Sequence, residues 1–216
     1  MPAILPVVTV AEQLDSLGDI PAERVRLQPP PGTATESDVV AVQVQEDRLC
    51  ELLDGTLVEK TMGYYESYIA TTLSRLLGNF VAAHDLGIVA GADGMLRLAP
   101  GLVRIPDVSF VAWEKLPGRR LPRQAIPDLV PDLAVEILSA GHTPREMARK
   151  LDEYFALGVQ LVWLVNPRTE TTEVYSSRQQ STTLDKFATL EGGTVLPGFT
   201  LPLTALFPAA HQTGQA

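Results

Sequence analysis

The sequence contains a single cysteine, Cys50, and only three histidines among its 216 residues. One cysteine excludes an internal disulfide, and this set is too small for a zinc site built from cysteine and histidine. The sequence also lacks an apolar run of about 18 residues, the length that a membrane-spanning helix needs, and it shows no secretory signal. We therefore expect a cytoplasmic protein with no membrane partner, in which oxygen ligands would hold any metal.

Positive charge is also scarce, with 17 Lys and Arg residues against 26 Asp and Glu residues and a net charge of -9. This balance argues against a protein that coats nucleic acid through its overall charge. It still allows a locally basic cleft. The length of 216 residues fits one domain that buries its own core without disulfides or a structural metal.

The two ends of the sequence differ from its middle. A short helical pattern spans residues 10–17, and the run Pro29-Pro30-Pro31-Gly32 that follows excludes a helix or a central strand. We therefore expect about the first 40 residues to form an extension that packs on the domain. Residues 196–207 carry apolar anchors but too many prolines for regular structure.

The middle of the sequence shows both strand and helix patterns. Residues 40–60 alternate in strand fashion, and Asp54-Gly55 between two apolar runs predicts a two-residue hairpin. Apolar spacing and capping signals predict helices over residues 62–84 and 143–156. Further strands are predicted over residues 87–90, 95–98, 107–113, 133–138, 160–165 and 172–175. This order of elements predicts an α/β fold.

One acidic residue interrupts the most apolar of these strands. The run Leu133-Ala134-Val135-Glu136-Ile137-Leu138 is typical of a strand that is covered on both faces. An ionised carboxylate in such a strand is costly unless it is paired with a cation or binds a metal ion. Taken alone, Glu136 fits a salt bridge to an arginine as well as it fits a metal site.

Asp107 and Lys150 add polar groups to the same region. Asp107 follows Pro106 at the start of a strand, and neighbouring strand ends of an open α/β sheet meet in one crevice. Lys150 lies on the helix after Glu136, at a position on or beside the apolar face. Each residue has an ordinary alternative, since Asp107 could bond to nearby backbone and Lys150 could lie at the helix border with its ammonium in water.

Together, these three residues share a chemistry. Two carboxylates can hold a hard cation, and a lysine beside them can activate water or stabilise charge that develops on a phosphoryl group. Glu66, on the apolar stripe of the long helix, could add a metal or water ligand, or could simply lie where the helix dipole favours an acid. Glu51 could point into the same crevice, although solvent is the favoured expectation for its side chain.

Basic residues are concentrated near these positions. Arg104 precedes the strand of Asp107, and Arg145 and Arg149 precede Lys150 on their helix. This distribution suits contacts with a phosphate backbone, although a solvated loop would look similar. Arg104, Arg145 and Arg149 are therefore candidate nucleic-acid-binding residues.

Several motifs, taken together, resemble a known family. They are Cys50-Glu51-Leu52-Leu53-Asp54-Gly55, Ile105-Pro106-Asp107-Val108-Ser109-Phe110-Val111, Pro131-Asp132-Leu133-Ala134-Val135-Glu136-Ile137-Leu138-Ser139, Lys150 with Tyr154, and Gly158-Val159 followed by Trp163-Leu164-Val165-Asn166-Pro167. The sequence is similar to the Uma-two family of proposed restriction endonucleases over roughly residues 46–207. We accordingly expect an extension at residues 1–45, a domain at residues 46–207 and a flexible tail at residues 208–216.

The resemblance implies a restriction-endonuclease-like core, in which a mixed central β-sheet is flanked by helices. It also implies that Asp107 and Glu136 are metal ligands and that Lys150 is the lysine of a PD-(D/E)XK motif. In most enzymes of that fold the lysine stands two residues after the glutamate, where this sequence has Leu138. Lys150 would therefore have to reach back from the following helix.

The resulting expectation is a metal-dependent DNA endonuclease. Mg²⁺ or Mn²⁺ would be bound by Asp107, Glu136 and the backbone carbonyl of Ile137, and Lys150 would orient or deprotonate the attacking water. DNA would be the partner, and a homodimer would suit the cutting of two strands. The alternatives are a catalytically silent nuclease-fold module that binds nucleic acid or a protein, and an assembly protein whose buried carboxylates pair with Arg or Lys.

Overall fold

The computed structural model describes residues 9–207. Its α-helices are α1 (Val10–Ser16), α2 (Glu36–Glu46), α3 (Tyr64–Ala83) and α4 (Pro144–Ala156). Its strands are β1 (Cys50–Leu53), β2 (Thr56–Glu59), β3 (Gly87–Ala90), β4 (Leu96–Ala99), β5 (Leu102–Arg104), β6 (Val108–Ala112), β7 (Leu133–Ile137), β8 (Leu161–Asn166), β9 (Thr171–Ser177), β10 (Gln180–Asp185), β11 (Thr189–Glu191) and β12 (Thr200–Pro202). Across the described residues, no helix is long and apolar enough to cross a membrane. The tail predicted at residues 208–216 lies outside this range.

These strands form sheets of six, four and two strands. The six-stranded sheet has the order β10-β9-β8-β7-β6-β3, and the four-stranded sheet has the order β2-β1-β5-β4. In the larger sheet β7 and β8 run parallel and are connected through α4, while the other neighbouring strands run antiparallel. This mixed sheet with flanking helices confirms the predicted fold class.

Strand β7 lies in the interior of the larger sheet and is buried along its whole length. Leu133, Val135 and Ile137 belong to one hydrophobic cluster with the apolar face of α3. Ala134, on the other face of the strand, belongs to a second cluster with residues of α4. The continuous apolar run in the sequence follows from this two-sided burial. Glu136 shares its face with Ala134 because side chains alternate along a strand.

Helix α4 lies between the two larger sheets. Thr143 caps its start by accepting a hydrogen bond from the Glu146 amide, as the sequence predicts. Met147, Leu151 and Tyr154 pack with residues of the six-stranded sheet and also with β4 of the four-stranded sheet. The polar residues that α4 carries on its buried side are therefore enclosed by strands from both sheets.

The hairpin of the four-stranded sheet forms where the sequence predicts it. Strands β1 and β2 pair antiparallel around Asp54 and Gly55. These two residues have positive φ angles of 49° and 69°, as a type I′ turn requires, and glycine adopts such an angle without strain. The turn fixes the register that places Glu51 opposite Val58.

The segment before this hairpin contacts the rest of the molecule through a buried ion pair. Both outer guanidinium nitrogens of Arg24 donate to the Glu146 carboxylate on α4, at 2.9 Å each. Arg24 also donates to the carbonyls of Glu59 and Gly141. The division of the chain at residue 45 into extension and domain stays a prediction.

Some segments differ from their predictions. Residues 40–46 belong to α2, although the alternating valines predict a strand; Thr35 and Asp38 cap the helix reciprocally, and Val39 and Val42 are buried on one face. Strands β5, β10 and β11 lie outside all predicted strands. The proline-rich stretch contains β12, where Pro202 is tolerated because β12 pairs with β11 alone.

Candidate functional site

The two acidic residues predicted to bind metal lie side by side in the interior. Asp107 directly precedes β6, whose first residue, Val108, pairs with Val135 of β7. The Asp107 amide donates to the Val135 carbonyl at 2.9 Å, and the Asp107 carboxylate accepts from the Ile137 amide at 2.6 Å. These bonds hold the Asp107 carboxylate against the strand that carries Glu136. Both side chains are buried.

Lys150 reaches the same place from α4. Its Nζ lies 2.9 Å from Glu136 Oε2 and 3.2 Å from Glu51 Oε1. The segment between Glu136 and Lys150, which are 14 positions apart, therefore returns the chain over the sheet, as the displaced lysine requires. One helical turn further on, the Tyr154 hydroxyl donates to Glu136 Oε1 at 2.5 Å. The Glu136 carboxylate thus has a fixed partner on each oxygen.

The expectation that Glu51 faces solvent was wrong. Glu51 is buried because β1 is an interior strand of the four-stranded sheet and faces α4. Its carboxylate accepts from Arg104 Nη1 at 2.7 Å and from the Ile105 amide at 3.0 Å. Burial alone would raise the pKa of Glu51, but Lys150 and Arg104 lower it well below its ordinary value.

The arginines predicted to contact phosphate are paired within the protein. Arg104 is almost fully buried, with Nε 2.8 Å from the carboxylate of Glu153 and Nη1 bound to Glu51. This burial corrects its interpretation as a surface contact. Arg145 binds Asp15 and Asp19, and Arg149 binds Asp54 and Glu153. These pairs neutralise the basic residues that the sequence places near the site.

Glu66 is not joined to the buried carboxylates. It is half-buried in the first turn of α3, and its carboxylate folds back over Gly63, so closely that a Cβ on this glycine would collide with Oε2. Among the hydrogen bonds and ion pairs of residues 9–207, none links Glu66 to Asp107 or Glu136. Its role as a metal or water ligand stays a prediction.

Two residues that the sequence analysis did not select also lie at this site. Lys60, just after β2, places Nζ 2.8 Å from Asp107 Oδ1 and 2.6 Å from the Ile105 carbonyl, and its side chain is 10% exposed. Half-buried His142 accepts from the Ser139 amide through Nδ1 at 3.0 Å. Burial and the charge of Lys150 lower the pKa of His142. The only sequence signal for Lys60 is a lysine at the end of a buried strand.

Residues 36–204 match the sequence profile of the family described as "Uma2: Putative restriction endonuclease". This span is more than half of the chain. The chain belongs to the Uma2 family. The match confirms the resemblance identified from the motifs, and it supports a nuclease-type function.

A solved structure shares the fold of this Uma2 chain. It is described as "a putative nuclease belonging to DUF820 from Anabaena variabilis", and it aligns with a TM-score of 0.66 and 20% sequence identity. The alignment covers 74% of this chain and 90% of that chain. A likeness at this identity supports the fold alone. Among curated proteins, the Uma2 chain has no significant match.

The candidate site of this Uma2 chain brings three carboxylates together with three cations. The carboxylates are those of Glu51, Asp107 and Glu136, and the cations are those of Lys60, Arg104 and Lys150. Over residues 9–207, no three acidic, histidine or cysteine side chains form a ready metal-binding group. Burial raises the pKa of Asp107, and Glu136 beside it acts in the same direction, against the opposing effect of Lys60. The pair of carboxylates therefore favours a nearby cation.

Proposed function

We propose that this Uma2 protein hydrolyses phosphodiester bonds in DNA with the help of a divalent metal ion, Mg²⁺ or Mn²⁺. One observation carries the proposal, namely that the carboxylates of Asp107 and Glu136 lie together in the interior with Lys150 bonded to Glu136. A buried pair of this kind is costly unless it serves a cation. Restriction-endonuclease-like proteins generally use divalent metals, which supports the same assignment.

The donors at this site fit a hard cation. Asp107 and Glu136 offer carboxylate oxygens, and the Ile137 carbonyl is a further candidate ligand, all of the type that Mg²⁺ and Mn²⁺ prefer. The Lys60 ammonium already lies between an Asp107 oxygen and the Ile105 carbonyl, so this part of the site binds positive charge. A divalent ion would supply Lewis-acid polarisation of the phosphate and a more acidic water molecule. We infer that Lys60 withdraws when the ion binds.

Lys150 and Tyr154 would orient the reacting groups. Burial alone would lower the pKa of Lys150, but Glu136 and Glu51 raise it above its ordinary value. An ammonium that keeps its proton cannot take one from water, so an orienting and charge-stabilising role is favoured over the deprotonating role. The hydroxyl of Tyr154 holds one oxygen of Glu136 in position by a hydrogen bond, and because the hydroxyl is neutral it does not cancel the charge of the Glu136 carboxylate.

Replacing Lys60 by methionine should make stability depend more strongly on divalent ions. Without the ammonium, Asp107 and Glu136 lie buried with one cation fewer, so the melting temperature should fall in EDTA. Mn²⁺ at about 100 times its Kd would stabilise the variant by ~2.7 kcal/mol, or about 5–10 °C for a chain of this size. Differential scanning fluorimetry in EDTA and in Mn²⁺ measures both shifts.

A lysine elsewhere provides the matched control for this experiment. Lys115 pairs with Asp132 at 2.9 Å, so Lys115→Met removes the same type of ion pair without touching Asp107. We expect its melting temperature to respond to Mn²⁺ no more than that of the wild type. An equal response of the two variants would show that the Lys60 ammonium does not compete with the ion for Asp107.

The direct test of the proposed function is cleavage of supercoiled plasmid by the purified protein. We expect nicked or linear product with Mg²⁺ or Mn²⁺ and none with EDTA. Ligation of the products and end-labelling would show whether the cut leaves a phosphate on the 5′ or the 3′ side. A protein that produces no cut with any divalent ion contradicts the proposal.

The pairing of every buried carboxylate favours a second candidate function. Lys60 binds Asp107, and Lys150 binds both Glu136 and Glu51, so the network is satisfied without metal. A catalytically silent module of the same fold would have this arrangement and would bind nucleic acid or a protein partner. It would bind DNA equally well in EDTA, and its binding would not change in Asp107→Asn.

A further inference from the structure

Helix α3 begins with three tyrosines whose side chains point into solvent. Tyr64 is 93% exposed, Tyr65 is 40% exposed and Tyr68 is 43% exposed. The rings of Tyr65 and Tyr68 are nearly parallel, with centroids 6.3 Å apart and an angle of 6° between their planes. We call these three residues the tyrosine cluster. Exposed aromatic groups this large and this close together indicate an interaction surface.

The tyrosine cluster lies close to the candidate site along the chain. Only residues 61–63 separate Tyr64 from Lys60, whose ammonium binds Asp107. That linker passes close to the loop after β7, since a Cβ on Gly141 would lie 3.2 Å from the Thr61 hydroxyl oxygen. With at most ~3.6 Å per residue, Tyr64 is within about 15 Å of Lys60 along the chain. A strand of nucleic acid at the carboxylates could therefore reach the cluster.

Helix α3 contributes little negative charge to its exposed face, and the Glu170 carboxylate near Tyr65 is paired with Lys186. Glu66 is the one acidic residue of this helix, and its carboxylate turns back over Gly63. Residues three or four positions apart lie on the same face of a helix. On this face of α3 they are aromatic, hydroxyl, cationic and amide side chains. These residues are Tyr64, Tyr68, Thr71, Arg75 and Asn79, all exposed. In a chain with a net charge of -9, this face is suited to a polyanion.

We propose that the tyrosine cluster binds unpaired bases of a single-stranded nucleic acid whose backbone runs along the exposed face of α3 toward the buried carboxylates. This inference rests on the proposed function and names its substrate class. Bases of any sequence stack on tyrosine rings, and a nearby arginine attracts the phosphates. Tyrosine also presents a rigid surface that loses little conformational entropy on binding.

A second copy of the chain is the less favoured occupant of this face. Two α3 helices packed against each other would enclose Arg75 from each copy. Because Glu66 is the one carboxylate of the helix and lies at its first turn, the facing helices would offer the buried guanidinium no acidic partner along most of their length. A phosphate backbone supplies the partner that the helix itself lacks.

Binding to a labelled single strand tests the inference without any cleavage. The probe is a fluorescein-labelled DNA oligonucleotide of about ten nucleotides, a length in the range of single-strand sites, measured by anisotropy in EDTA. Tyr64→Ala and Tyr68→Ala should each weaken binding about tenfold, the usual size for the loss of one stacked base. Tyr64→Phe should keep the affinity of the wild type, since it keeps the ring. Val44→Ala, which removes a 76%-exposed side chain from α2, is the matched control.

Each outcome separates this inference from the proposed function. Weaker binding in the alanine variants, with the phenylalanine and Val44 variants unchanged, supports it. Unchanged affinity in the alanine variants overturns it, while metal-dependent plasmid cleavage by the wild type would still support the nuclease. Sedimentation equilibrium tests self-association. If the wild type is a dimer, and Tyr64→Ala dissociates it without changing the affinity for DNA, the cluster serves self-association and the inference is overturned as well.

Discussion

Substituting Glu136 by glutamine should lower metal-dependent plasmid cleavage by about 100-fold or more, the usual loss when one preorganised charged group is removed from a catalytic centre. Glutamine keeps the shape of the side chain and can still accept the hydrogen bond from Tyr154. It removes the negative charge that would hold the cation and that now binds Lys150 at 2.9 Å. Asp107→Asn should have a loss of similar size. The measurement is the initial rate of nicking at saturating Mn²⁺.

Surface carboxylates provide the controls for these variants. Glu46→Gln and Asp128→Asn change exposed residues that pair with arginines away from the site, so both should cleave like the wild type. Melting temperatures of all four variants would show whether any lost activity reflects lost folding. Wild-type activity in folded Glu136→Gln would show that the cleavage arises elsewhere or from a contaminant.

The central strand and the first carboxylate could be predicted because their signals are local. A continuous apolar run indicates a strand buried on both faces, and an acid inside that run needs a partner. Both features follow from a few consecutive residues around Glu136. The hairpin at Asp54-Gly55 and the cap at Thr143 are local in the same sense, and the structure has both.

Lys150 beside Glu136 was among the predictions, but the partners that come from the four-stranded sheet could not be predicted. Lys60 contacts Asp107 because the four-stranded sheet packs beside the start of β6, and Arg104 contacts Glu51 because β5 and β1 pair within that sheet. No periodicity within the chain encodes that packing. The solvent-exposed interpretation of Glu51 failed for the same reason, since its strand has neighbours on both sides. Residues 40–46 show the converse case, in which helix caps outweigh an alternating pattern.

The buried network also explains how a fully paired site can still be a metal site. The cations there are charged side chains of the protein itself: Lys60 follows β2, and Lys150 lies on α4. Lys60 is the one with access to solvent, at 10% exposure, and Lys150 is held by two carboxylates. Exchange of Lys60 for a divalent ion would therefore disturb the network least. The remaining cations would keep Glu51 and Glu136 in place.

Substituting Arg104 by methionine should have the largest effect on stability. Its guanidinium is buried between Glu51 and Glu153, so its removal leaves the buried carboxylates with one cation fewer. Breaking a buried pair of this kind costs about 3–5 kcal/mol, which corresponds to a fall in melting temperature of about 10 °C for a chain of this size. Thermal and urea unfolding followed by circular dichroism measure the loss.

Two causes of that lower stability, uncompensated charge and missing side-chain volume, can be distinguished. If uncompensated charge is responsible, adding Glu51→Gln to Arg104→Met should restore part of the stability, because glutamine can still accept the hydrogen bond from the Ile105 amide. Arg145→Met, which breaks exposed pairs with Asp15 and Asp19, should change the melting temperature little. A double variant no more stable than Arg104→Met alone would assign the loss to packing. The arginine would then act as a spacer between β5 and α4 and not as the counterion of Glu51.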